Sequence, residues 1–97
     1  MRRRARVDAN QSEIVEELRA CGWGVEVTSQ VGRGFPDLIA MRRGRVVFIE
    51  VKDGAKPPSA RALTEEESLL HMRWSRFGVR VFVVASVEDV ARLEDAC

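Results

Sequence analysis

The sequence predicts an α/β domain with a central mixed sheet flanked by helices, and three observations carry that expectation. Residues 46–51 (VVFIEV) form a β-branched run whose VVFI portion lacks alternation, the mark of a strand buried on both faces inside a sheet. The passage from 46 to 85 reads strand, helix, strand, which suits a right-handed parallel crossover. Residues 37–51 contain two apolar segments joined by Arg42-Arg43-Gly44-Arg45, a hairpin pattern.

Asp8 or Asn10 is placed to cap a first helix running to about Ala20, with Ile14, Leu18 and Cys21 on one face and Gly22 as its terminator. Residues 23–29 (WGVEVTS) read as a strand. Gln30 to Pro36 holds Gly32, Gly34 and Pro36 and reads as a loop. Asp37 to Met41 is a short apolar strand, and Val46 to Val51 is the next. Residues 53–62 (DGAKPPSARA) form a loop. Thr64 with Glu67 three positions on is a capping-box pattern opening a second helix that runs to about Phe77, closed by Gly78. Val79 to Ala85 reads as another buried strand. Ser86 then caps a last helix, residues 87–95. The order is α-β-β-β-α-β-α in one domain spanning 8–97, preceded by a basic arm, residues 1–7.

A chain of 97 residues has room for one modest core. No apolar run approaches a membrane span, and the basic start is not followed by the apolar stretch of a secretory signal, so the expected location is the cytoplasm and no membrane is expected as a partner. Cys21 and Cys97, with His71, lack zinc-ligand spacing. Cys21 reads as core and Cys97 as an incidental thiol. The net charge of +1 conceals an asymmetry: residues 1–62 carry 12 Lys/Arg against 8 Asp/Glu, and residues 63–97 carry 4 against 7. A polyanion approaching the first part is compatible with this gradient. A solvated tail and an acidic last helix also account for it, and charge alone favours that reading.

The chemistry concentrates in residues 34–52, GFPDLIAMRRGRVVFIEVK. A hairpin brings Asp37 at the start of one strand beside Glu50 and Lys52 near the end of the next. Glu50 and Lys52, two apart, share one face of their strand. They interrupt a buried segment, where charges are costly without partners. Phosphodiester cleavage needs an activated water and positive charge to meet the growing negative charge on phosphorus. Two carboxylates holding Mg²⁺ or Mn²⁺ meet both needs. Asp37 and Glu50 are the candidate metal ligands, with the Val51 carbonyl as a third. Lys52 is placed to hold the attacking water or to steady the transition-state charge, and neighbouring cations are expected to lower its pKa. Arg33, Gly34, Lys56, Ser59 and Arg61, in loops bracketing the cluster, are the candidate substrate contacts, with solvated loop charge as the competing reading.

Pro-Asp, a hairpin, then Glu-Val-Lys resembles the PD-(D/E)xK nuclease superfamily. The whole stretch from Asp8 to about Val90 resembles a stand-alone VRR-NUC domain of the type found in phages and bacteria. It does so through DANQSEIVEELRACGWGV, VGRGFPDLIAMRRGRVVFIEVKDG, KPPSARALTEEE and GVRVFVVAS. The resemblance implies a restriction-endonuclease-like core and a Mg²⁺- or Mn²⁺-dependent DNA endonuclease selective for branched, flap or Holliday-junction DNA. It further implies a homodimer working in a bacterial or phage-infected cell. Two positions depart from the pattern. Related resolvases carry a metal-linked glutamate on the first helix where this chain has Gln11, an amide that can bind water or phosphate but brings no charge. Glu17 borders the same stripe on its other side as a substitute, with Glu13 less well aimed. Glu67 stands where many members have glutamine, and an acid there alters substrate contact.

The hairpin arginines, Arg42, Arg43 and Arg45, read as solvated charge. Trp23 and Trp74 read as core or interface rather than base-stacking platforms, and His71 as a helix-surface or core-edge residue. Two rivals remain: a nucleic-acid-binding module with the nuclease fold and no turnover, which Gln11 permits, and a structural or partner-binding α/β domain.

Overall fold

The computed structural model of the chain describes residues 8–95, so the basic arm and Cys97 lie outside the described residues. The elements are α1 (Gln11–Ala20), β1 (Gly24–Val27), β2 (Leu38–Arg42), β3 (Arg45–Val51), α2 (Glu65–Ser75), β4 (Val81–Val84) and α3 (Arg92–Asp95). Short 3-10 turns, Pro58–Arg61 and Val87–Ala91, precede α2 and α3. The strands lie in the order β1-β2-β3-β4. The first three pair antiparallel and β4 joins β3 in parallel, so the sheet is mixed as expected.

In α1, Ile14, Val15 and Leu18 bury one face against the sheet. The helix ends in a Schellman motif: Gly22, at φ 91, donates to the Arg19 carbonyl, and Trp23 N donates to Leu18 O, both at 3.0 Å. Asn10 stands at the N-cap without a side-chain capping bond. Its amide instead donates to the carbonyls of Lys52 and Ala85, each at 3.0 Å, which ties the start of α1 to the ends of β3 and β4. The expected cap is thus overridden by tertiary bonds to carbonyls outside the helix.

The β2–β3 hairpin turns on Arg43 and Gly44, both left-handed (φ 53 and 80). That is the pairing of a two-residue type I′ turn, whose twist matches the flanking strands. The register pairs Leu38 with Ile49 and Ala40 with Val47. These side chains, with Val25, Val51 and Val84, form the sheet face that packs on Ile14, Val15 and Leu18 of α1 and on Val90 and Leu93.

The opposite face belongs to α2. Trp74 sets its ring edge-on to Phe48, centroids 5.1 Å apart, and to Phe35 at 5.4 Å. The cover is incomplete. Val46 on this face is 54% exposed, and Val83 is also exposed. Two expectations are therefore corrected. β3 is buried on both faces only toward its C-terminal end, and β4 is an edge strand rather than a fully buried one. A third correction concerns Ser86, which makes no side-chain capping bond; the Ala85 N–H goes to the Asp89 carboxylate at 2.9 Å, and the segment winds first as a 3-10 turn.

Candidate metal and phosphate site

Asp37, Glu50 and Lys52 meet in one cleft of about 290 Å³ at the end of the sheet, on the α2 side. Local bonds place Asp37. The Thr28 hydroxyl donates to Pro36 O and the Thr28 N–H to Asp37 O, both at 2.7 Å, so the residue that follows β1 holds the Pro36-Asp37 segment. The Val51 N–H then donates to Asp37 Oδ2 at 2.8 Å, locking the carboxylate beside β3.

Glu50 is 2% exposed, and its Oε1 is buried with no hydrogen-bond partner. Burial first, and the adjoining Asp37 second, push its pKa up to about 10. Burial also raises Asp37, opposed by its hydrogen bonds with Glu50 and Val51. Burial and mutual repulsion thus favour one proton shared by the pair. Among the described residues no group of three or more acidic, histidine or cysteine side chains is arranged to hold a metal ion. The carboxylate donor set is the pair itself.

Lys52 Nζ lies 2.8 Å from Glu67 Oε1 and 4.0 Å from Glu50 Oε2. Burial alone would lower its pKa, but the Glu67 carboxylate, then Glu50 and Asp8, outweigh burial and raise it. The protein groups around the ammonium are acids, so the chain's own residues act opposite to the lowering expected from cations at a metal site. Burial would raise Glu67, yet Lys52 and the Thr64 N–H hold it below the usual carboxylate range. The capping box read in the sequence is formed in full: Glu67 N donates to Thr64 Oγ1 at 3.1 Å and Thr64 N donates to Glu67 Oε1 at 2.9 Å.

The loop before Asp37 packs directly on α2. A Cβ built on Gly34, at φ 80, would stand 2.5 Å from the Glu66 carbonyl oxygen, so only glycine permits this approach. Arg33 beside it is also left-handed (φ 57), and both residues line the cleft as expected. The other three candidate contacts do not line it. Lys56 pairs with Asp8 at 3.6 Å, and Asp8 is itself a wall of the cleft. Ser59 and Arg61 are exposed on the Pro58–Arg61 turn, and Arg61 borders a separate cleft with Asn10, Glu13 and Asp53.

Gln11 is 6% exposed and stands one side chain back from the cleft, its amide donating to Ser29 Oγ at 3.4 Å. Ser29 is the residue that reaches the cleft wall. Glu17, the alternative acid, lies two turns along and accepts from the Cys21 thiol at 3.5 Å, and Glu13 is exposed beside the separate cleft. Cys21 is exposed rather than core. His71 follows Glu67 by one turn, and burial lowers its pKa; it lies outside the cleft lining. Trp23 is core. Two of the hairpin arginines are stitched into the fold rather than solvated: Arg42 lies 4.5 Å over the Trp23 ring and donates to Cys21 O, and Arg45 donates to Leu93 O at 2.6 Å, while Arg43 at the tip is exposed as expected. Sequence reasoning missed Asp8 as a cleft residue. The available signal was an acid three positions ahead of Gln11.

A solved structure described as a VRR_NUC domain superposes on this chain with a TM-score of 0.65, at 34% sequence identity over 89% of this chain and 90% of that one. No family sequence model and no curated protein sequence matches the chain.

Proposed function

The chain belongs to the VRR-NUC family, and from that premise we propose that it is a metal-dependent endonuclease that hydrolyses DNA phosphodiester bonds, selective for branched, flap or four-way-junction DNA. The observation that carries this reading is the meeting of Asp37, Glu50 and Lys52 in one cleft whose rim bears Arg33.

The donor set fits a hard divalent cation. Both acids offer oxygen, and Glu50 Oε1 is a buried acceptor that no protein donor satisfies. Asp37, Glu50 and the Val51 carbonyl would hold Mg²⁺ or Mn²⁺. An ion there supplies Lewis-acid stabilisation of the charge that builds on the phosphate. The Val51 N–H fixes the angle of Asp37. Lys52, raised in pKa and therefore cationic at neutral pH, donates hydrogen bonds to a phosphate oxygen or to the attacking water. Arg33 offers its guanidinium to a neighbouring phosphate. Gln11, through Ser29, supports the wall of the cleft without adding charge.

The test is cleavage of linear, flap and four-way-junction DNA in Mg²⁺ or Mn²⁺. Wild type cleaves at least one branched substrate, and Lys52→Ala lowers the rate by about 10²–10⁴-fold. A wild-type protein that binds these DNAs and cuts none of them, in either metal, would favour the binding-module reading that Gln11 permits.

A further inference from the structure

Resting on the nuclease reading of the cleft, we propose that Glu67 is the positioning residue for Lys52: a carboxylate anchored on the first turn of α2 sets where the Lys52 ammonium stands. Three observations combine. Glu67 Oε1 accepts from Lys52 Nζ at 2.8 Å and from Thr64 N at 2.9 Å, so one oxygen joins the lysine to the backbone at the start of α2. Both side chains are largely buried, at 12% and 15% exposure, where a charge-assisted hydrogen bond is little screened by water. The lysine's backbone is held independently, its carbonyl accepting from Asn10. Four flexible bonds separate that fixed backbone from Nζ, and Glu67 is its close partner at the far end. Glu50 Oε2, at 4.0 Å, is beyond hydrogen-bonding reach.

The arrangement couples the cleft to α2. The carboxylate that caps the helix also holds the ammonium, and Gly34 presses the Arg33 loop onto the same first turn. A glutamine at position 67 could keep the capping geometry through its amide oxygen. It would hold the ammonium by an ion–dipole contact in place of an ion pair.

The experiment uses the fact that the chain has two lysines, Lys52 and Lys56. Limited acetylation by an amine-reactive ester, read by peptide mass spectrometry, gives the Lys52:Lys56 labelling ratio without reference to activity. In wild type the more exposed Lys56 labels faster. Glu67→Gln and Glu67→Ala raise the ratio by about fivefold or more, the factor set by losing a charge-assisted hydrogen bond. Thr64→Ala breaks the cap but keeps the carboxylate, and leaves the ratio near the wild-type value. In Mg²⁺, Glu67→Gln lowers kcat by about tenfold with KM little changed, as expected for a misplaced catalytic group. An unchanged ratio in both Glu67 variants, or an equal rise in Thr64→Ala, would overturn the proposal and leave Glu67 a helix cap. An unchanged kcat in Glu67→Gln would overturn it equally. Absence of cleavage by wild type would sink the nuclease reading instead, and the labelling ratio would still decide whether Glu67 positions Lys52.

Discussion

Glu50 shows how far one residue's behaviour depends on its surroundings. Its folded pKa of about 10 stands well above the usual carboxyl value, so the folded chain keeps a proton there that the unfolded chain releases. A raised folded pKa means stability is fully present at low pH and is lost as pH rises through the window. In EDTA, thermal unfolding is therefore expected to fall to lower temperature between about pH 5 and pH 9. Glu50→Gln, neutral at every pH, flattens that slope. Glu67 acts oppositely, since its lowered pKa contributes stability that disappears as pH falls below the carboxylate range. If the proposed metal site holds, added Mg²⁺ or Mn²⁺ is expected to displace the Glu50 proton and to raise the melting temperature more at pH 8 than at pH 6, measurable by circular dichroism. A melting profile with no Glu50-dependent slope would contradict the shared proton. Asp37, Glu50 and Lys52 were legible as a group because strand spacing alone puts them together. The proton they share was not, because it depends on burial from several elements at once.

At the scale of elements, α2 carries both the cap and one wall of the cleft. Thr64→Ala removes one capping bond and is expected to cost about 1 kcal/mol in urea unfolding. Gly34→Ala forces a methyl against the Glu66 carbonyl at a left-handed backbone position and is expected to cost about 2 kcal/mol or more, by the same measurement. A Gly34→Ala protein as stable as wild type would show that the loop and α2 do not touch. On the other face, Leu18→Ala empties a fully buried site and is expected to cost about 2–5 kcal/mol. The capping box, the Gly22 terminator and the hairpin turn were all readable in the sequence, because each is a rule about neighbours three or four residues apart. The Asn10 cap failed for the complementary reason: its side chain found carbonyls 42 and 75 residues away.

Across the whole molecule, the two faces of the sheet are unequally covered. The α1 face is covered along most of its length and open at Val27, at the end of β1. On the α2 side Phe77 is 80% exposed, and Leu69, Met72, Val46 and Val83 are exposed with it. We propose that this face mediates the homodimer expected from the family, since a protomer of this size has little surface for gripping branched DNA alone and two-fold pairing is the commonest closed form. Light scattering on the wild type should return twice the 10.9 kDa chain mass, and Phe77→Ser should shift it toward the monomer. A monomeric wild type at micromolar concentration would dismiss the dimer. Among the described residues no helix is long and apolar enough to cross a membrane. The α/β order, the hairpin and the acid–acid–lysine group were written in the sequence, since periodicity and spacing are local properties that pairing merely completes. The tertiary structure alone decided that Glu67 holds Lys52, that Asp8 walls the cleft while Glu17 is remote, that Gln11 stands behind Ser29, and that β4 is an exposed edge. These depend on which side chains from distant segments arrive at one point, and only packing the helices on the sheet sets that.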